Sequence, residues 1–299
     1  MSLAFDILLA VGIVIIAATA LTTRDRITSV AGFVVIGLLV ALSWVRLGAP
    51  DVALAEAAIG AGLTGALLLR SAGRLKPATR TTLSPSYRII AALIATGLAG
   101  ALVWVVYTLQ GNSLYPALVS ERLLESGVTN PVTAVLLNFR AFDTLLEIAV
   151  LFVALILIRI VAPPPPQPVA TGELMLPFAR IVVPMCAFLA GHLLWQGASE
   201  PGGAFQAGAL LAGAMLVLIL GGFAMPTPRL MYWANMIALS GLAVFALAAL
   251  GTEALTGKLL LYPNGTAKIW ILVIEAALTL SIAATLCLLF CGMPRRPLK

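Results

Sequence analysis

Asn130–Phe152 reads NPVTAVLLNFRAFDTLLEIAVLF and carries Asn138, Arg140, Asp143 and Glu147 into an otherwise apolar run that ends at Val161. Asp143 and Glu147 are four residues apart, about 40° around a helix, so their carboxylates share one face roughly one turn apart. Arg140 stands one turn earlier. A charged cluster at the mouth of a membrane helix is costly, and the usual reason for it is an ion or proton path. The plainer reading is an interfacial cap, with Arg140 and Asp143 among lipid headgroups and Glu147 paired locally. The charges alone leave both open.

Composition sets the class. A hydrophobic fraction of 61 % with only 10 % charged residues, and a mean hydropathy of +1.08, exclude an ordinary soluble domain. The chain reads as an all-α polytopic membrane protein. Its net charge of +6 comes from scattered residues that form no stripe, so no nucleic-acid partner is expected. Cys287 and Cys291 share a helical face, but no His or further Cys lies near them, and no metal is expected. There is no cluster-binding cysteine set, nucleotide fingerprint or flavin motif, so no cofactor is expected. No nucleophile stands beside a base, so the chain is not read as an enzyme. The first apolar run lacks a basic leader and suits a retained helix.

Nine segments are long enough, or nearly so, to span a bilayer: 3–22, 27–45, 51–70, 88–109, 143–162, 178–195, 205–224, 231–250 and 269–291. Val132–Leu137 is too short and reads as a re-entrant or interfacial piece. With the N-terminus outside, thirteen of the eighteen Lys and Arg fall on the cytoplasmic side, as the positive-inside rule expects. The C-terminus is then cytoplasmic. Leu75–Ser86 is a polar loop, and Pro163–Pro168 (PPPPQP) a stiff connector that cannot continue a helix. The expected organisation is a three-helix module over 1–80, a two-helix module over 81–162, the linker 163–168 and a four-helix domain over 169–299.

Glu56, Glu147 and Glu275 read as intramembrane. Glu56 shares a face with Gly60 and Thr64, and Glu275 with Thr279 and Ala283. Small and hydroxyl neighbours suggest close packing or a wet seam, where a carboxylate is either a proton carrier or a structural hydrogen-bonding acid. In the last domain, Pro201-Gly202-Gly203 forces a turn, and Ala204, Gly208 and Ala212 form a small-residue face. His192, the only histidine, is either a proton relay or an interfacial residue beside Trp195.

Three stretches then carry a resemblance: GAPDVALAEAAIGAG (Gly48–Gly62), NPVTAVLLNFRAFDTLLEIAVLF, and EPGGAFQAG (Glu200–Gly208). The first two resemble the C-terminal extension of the large A subunit of Mrp-type multisubunit Na+/H+ antiporters, pieces that occur as small separate subunits in membrane-bound hydrogenases. The third resembles the antiporter B subunit. Two departures stand out. Ala204 replaces the third glycine of the usual PGGGF, and His192 sits in a longer segment than the family's compact form. The resemblance implies an accessory, non-redox subunit in a bacterial or archaeal inner membrane, with other antiporter or complex I-like subunits as partners and Na+ and H+ as transported ions. By motif position it implies Asp51, Glu56, Arg140, Asp143 and Glu147 as the family's ionisable residues. The mechanism expected from the residues lines an outer-half path with Glu147, Asp143 and Glu56, has Arg140 hold one carboxylate ionised, and extends the path through Glu275 or His192. Membership of a redox-driven pump, a purely structural scaffold and an isolated carrier are the competing readings; against the last, no inverted repeat is evident.

Overall fold

Wherever the described residues form a long apolar run, they are helical. The computed structural model describes residues 3–74, 84–108, 114–161, 173–223 and 227–292. Pro163–Pro168, most of Leu75–Ser86 and the basic residues Arg295, Arg296 and Lys299 lie outside the described residues.

The first helices are α1 (Leu3–Thr22), α2 (Arg26–Arg46) and α3 (Pro50–Ala55), which runs through a π-helical stretch, Glu56–Leu63, into α4 (Thr64–Arg74). After α5 (Pro85–Thr108) come α6 (Tyr115–Arg122), a 3-10 turn at Leu123–Ser126, the short α7 (Pro131–Ala134), a π-turn at Val135–Phe139, and α8 (Ala141–Val161). The remainder is α9 (Met175–Gln196), α10 (Ala204–Leu220), α11 (Pro228–Thr256) and α12 (Ala267–Cys291). Among the described residues, eight helical runs, with Pro50–Gly73 taken as one, are long and apolar enough to cross a membrane, and the 17-residue α10 is a shorter apolar helix. The chain is an all-α, multi-pass membrane protein.

Local chemistry sets the boundaries. Asp25 caps α2, accepting from the Thr28 backbone N–H at 2.8 Å and hydroxyl at 2.5 Å. Those bonds hold its carboxyl below the usual range, the side-chain bond first. Pro50 opens α3, where a missing N–H costs nothing. Gly257, at φ +75°, closes α11 in the left-handed conformation that suits glycine.

α12 is the centre of the bundle, with 67 % of its most apolar window buried against α8, α9, α10 and α11. Small residues let these backbones approach. A Cβ on Gly208 would lie 2.9 Å from the Ile282 Cβ and 3.0 Å from the Thr279 carbonyl, and Ala204 and Ala212 are buried on the same helix. A Cβ on Gly241 would collide with Ser281. α2 packs on α1 and on the whole α3–α4 run, whose π-helical part contacts α10. Arg70 of α4 lies over the Phe290 ring at 5.1 Å and reaches the Cys291 carbonyl at 3.5 Å, a cation at the C-terminal end of α12. No described residue of α5 is buried.

The short run before α8 folds back. The Thr144 hydroxyl donates to the Leu136 carbonyl at 2.6 Å. In a continuous helix residues eight apart are separated by about 12 Å along the axis, so the chain turns between them. Arg140, at φ −129° and ψ 35°, is outside helical geometry and makes that turn. α7 and its π-turn thus lie against the first turn of α8.

Candidate functional site

Four segments far apart in sequence meet at one end of the bundle. The N-terminus of α7 is fixed by Asn130, whose side-chain oxygen accepts from the Val132 N–H at 2.8 Å while its amide donates to the Glu200 carbonyl at 2.9 Å. The Thr129 and Asn130 backbone N–H groups both donate to the Ala198 carbonyl, and the Thr133 hydroxyl donates to that of Gly197 at 2.5 Å. The Gly197–Gly203 turn is thereby stitched to the chain before α8. Asp51, in the first turn of α3, accepts from the Gly202 N–H at 3.0 Å, and the Gln206 amide donates to the Asp51 carbonyl at 3.2 Å.

Between these segments lies a cavity of about 230 Å³, lined by Asp51, Thr133, Thr144, Gln206 and Glu275 among apolar groups such as Leu136, Phe205 and Leu278. Asp51 is 9 % exposed and Glu275 3 %. Glu275 accepts a hydrogen bond from the Ala204 backbone N–H, while among the described residues its Oε2 has no partner. The carboxylate therefore sits at the N-terminus of α10, where unpaired N–H groups and the helix dipole favour negative charge. Gly203 makes the approach possible. Its φ is +112°, and a Cβ there would stand 3.0 Å from Glu275 Oε1. No Lys or Arg lines the cavity among the described residues.

A more polar cleft of about 470 Å³ lies alongside, lined by Glu125, Asn138, Tyr262 and Lys268. The buried Tyr262 hydroxyl donates to the carbonyl of Leu137, a cavity-lining residue, at 2.8 Å. That pair forms a wall shared by the two spaces.

Of the residues singled out from the sequence, the fold brings Asp51 and Glu275 together. It does not bring the central cluster to them. Arg140 and Asp143 form an ion pair with side chains 70 % and 44 % exposed, and Glu147 is exposed on α8. Glu56 is half-buried on the π-helical stretch, with its carboxylate folded over Gly60, where a Cβ would collide with it. His192 is exposed near the end of α9. Sequence reasoning did not single out Thr133, Thr144 or Gln206, all buried polar residues on the cavity. The available signal was a polar side chain inside or at the mouth of an apolar run.

Residues 11–77 match the MbhD family, described as the D subunit of MBH, and residues 175–292 match the domain related to the MnhB subunit of Na+/H+ antiporter. A Rhizobium meliloti protein named as a probable K+/H+ antiporter A/B subunit is 31 % identical over 261 residues, covering 73 % of this chain and 26 % of that protein. A Staphylococcus haemolyticus protein named as antiporter subunit mnhA2 is 30 % identical over 152 residues, covering 50 % of this chain and 19 % of that one. The chain thus spans a fifth to a quarter of the length of these curated relatives. Its fold matches a chain of the Mrp complex from Dietzia sp. DQ12-45-1b with a TM-score of 0.78 at 24 % identity, over 98 % of this chain and 35 % of that one. It also matches a chain of an archaeal membrane-bound sulfane sulfur reductase, with a TM-score of 0.56 at 21 % identity, over 69 % of this chain and 97 % of that one.

Proposed function

We infer that this chain, which joins an MbhD-type segment to an MnhB-related domain, is an accessory membrane subunit of a multisubunit monovalent cation/proton antiporter. The observation that carries this reading is the outward placement of Arg140, just before α8, and of Asp143 and Glu147 in the first two turns of that helix, which apart from Thr144 and Arg159 is apolar. Glu147 is about 9 Å of rise beyond the start of α8, and a carboxylate at that depth facing lipid is costly. A neighbouring subunit covering this face and offering polar groups or water removes the cost. The cluster then lies on a path at a subunit boundary, with Arg140 keeping Asp143 ionised.

In this reading the partners are the other antiporter subunits, the transported ions are Na+ or K+ against H+, and the membrane is the bacterial or archaeal inner membrane. The N-terminus is outside and the C-terminus cytoplasmic, from the bias of Lys and Arg. The units run over 1–80, 81–162 and 169–299, joined by the 163–168 linker. Glu56 lies along the same path, and His192 extends it at the outer end of α9. The 97 % coverage of a sulfane sulfur reductase chain favours one second reading, a subunit in the membrane arm of a redox-driven ion pump.

The test is cation-dependent proton exchange in everted vesicles carrying the whole operon, comparing wild type with Glu147→Gln, with assembly followed on native gels. Lost exchange in an intact complex supports the antiporter reading. Wild-type exchange in the variant makes the cluster structural and favours a scaffold. No exchange in the wild type shifts the assignment to the redox-driven assembly.

A further inference from the structure

We propose that the Asp51–Glu275 cavity is a second ion site, separate from the exposed cluster on α8, in which a monovalent alkali cation exchanges with a proton on Glu275. The proposal deepens the transport reading and rests on it for its purpose, although cation binding can be measured without transport.

The cavity has many acceptors and few donors, most of which are spent elsewhere. The Thr133 hydroxyl proton goes to the Gly197 carbonyl and that of Thr144 to the Leu136 carbonyl. The Gln206 amide donates to the Asp51 backbone carbonyl. Both hydroxyls retain oxygen lone pairs, Gln206 keeps its Oε1 and a second amide N–H, and among the described residues Glu275 Oε2 is left buried without a partner. Glu275 Oε1 and Gln206 Oε1 lie 3.0 and 3.6 Å from a common point, the place a Cβ on Gly203 would occupy, so the two side chains are neighbours. A buried set of oxygens in which acceptors outnumber donors is completed by a proton or by a hard cation.

Charge selects a monovalent ion. Asp51 and Glu275 are the titratable side chains lining the cavity among the described residues, and no cationic side chain is in that lining. Replacing a proton on Glu275 by Na+ or K+ leaves the net charge unchanged, whereas a divalent ion adds a charge beside Leu136, Phe205 and Leu278. A volume of about 230 Å³ holds an ion with several waters. Its lining reaches the flank of the bundle at Val52 and Val132, which are 43 % and 39 % exposed.

The decisive measurement is infrared difference spectroscopy on the purified, assembled complex, exchanging choline for Na+ or K+ at constant pH. A protonated-carboxyl band should convert to carboxylate on adding either ion in wild type and in Glu147→Gln, and should be absent in Glu275→Gln. Asp51→Asn, which removes a negative ligand and keeps an acceptor for Gly202, should weaken the cation response by about tenfold or more. If Glu275→Gln does not assemble, Asp51→Asn carries the test, and unchanged cation affinity there overturns the site. A band that follows pH but ignores both cations overturns it too, as does an identical response in wild type and Glu275→Gln. A cation-sensitive band without exchange in vesicles sinks the antiporter reading and leaves the site standing; exchange without the band does the reverse.

Discussion

Asp51 and Gly202 are 151 positions apart in the chain and meet at 3.0 Å, carboxylate to backbone N–H, where α3 touches the turn that opens α10. The bond joins the MbhD-type segment to the MnhB-related domain. Loss of the acceptor strands a buried N–H, so Asp51→Leu should destabilise the complex by about 1–3 kcal/mol, while Asp51→Asn should lose less. Thermal unfolding of the solubilised complex compares them, and equal stability of all three proteins would remove the bond from the account.

Gly208 should resist enlargement. The Cβ of Gly208→Ala would lie 2.9 Å from the Ile282 Cβ, and overpacking of this kind costs about 1–3 kcal/mol. Gly208→Ala combined with Ile282→Ala should be less destabilised than the sum of the single variants. A strictly additive double-variant cycle, read from melting curves, would argue against the contact.

Tyr262→Phe removes the donor to Leu137 and should cost about 1–3 kcal/mol. Burial also pushes the Tyr262 phenol up from its ordinary value. A group whose folded pKa is raised contributes stability that is complete below the unfolded pKa and declines as pH rises past it. Wild-type stability should therefore fall above about pH 10, and Tyr262→Phe should lack that part of the decline. Parallel pH profiles for the two proteins would contradict it.

Asp6 and Arg46 form a two-pronged pair, at 2.7 and 2.8 Å, that ties the start of α1 to the end of α2. Arg46→Leu or Asp6→Leu alone should reduce the yield of assembled complex, because each breaks the two-pronged bond between α1 and α2. The exchange Asp6→Arg with Arg46→Asp should recover much of it, as scored on native gels. No recovery would mean that the orientation of the pair matters more than its charge.

Thr144→Val, nearly isosteric, deletes the bond that folds Leu136 back on α8. Thr144 is 2 % exposed, so a loss of about 1–3 kcal/mol is expected. Increased hydrogen exchange confined to residues 131–144 should accompany it, and an unchanged exchange pattern would refute the fold-back role.

The sequence by itself determined the class, the helices and several of the ionisable residues. Runs of about twenty apolar residues leave the backbone no option in a bilayer but helix, and Pro201-Gly202-Gly203 announced its turn through the conformational demands of its residues. Glu275 was legible as a candidate because a carboxylate in an apolar run is conspicuous, and Asp51 through the family resemblance of the PDVALAE stretch around it. Their meeting was not legible, since nothing local to either encodes a partner in another helix. The face of α8 that packs inward was hidden for a related reason. Ala141, Thr144, Ile148 and Leu155 are buried while Phe142, Leu146 and Glu147 are exposed. A helix that is apolar nearly all round shows little contrast between its two faces, because lipid and protein interior are similar solvents. The tertiary structure decided the rest. Close contacts at Gly208 and Gly241 bring α10, α11 and α12 together, the Arg140 turn folds α7 over the start of α8, and one buried carboxylate oxygen is left facing a cavity.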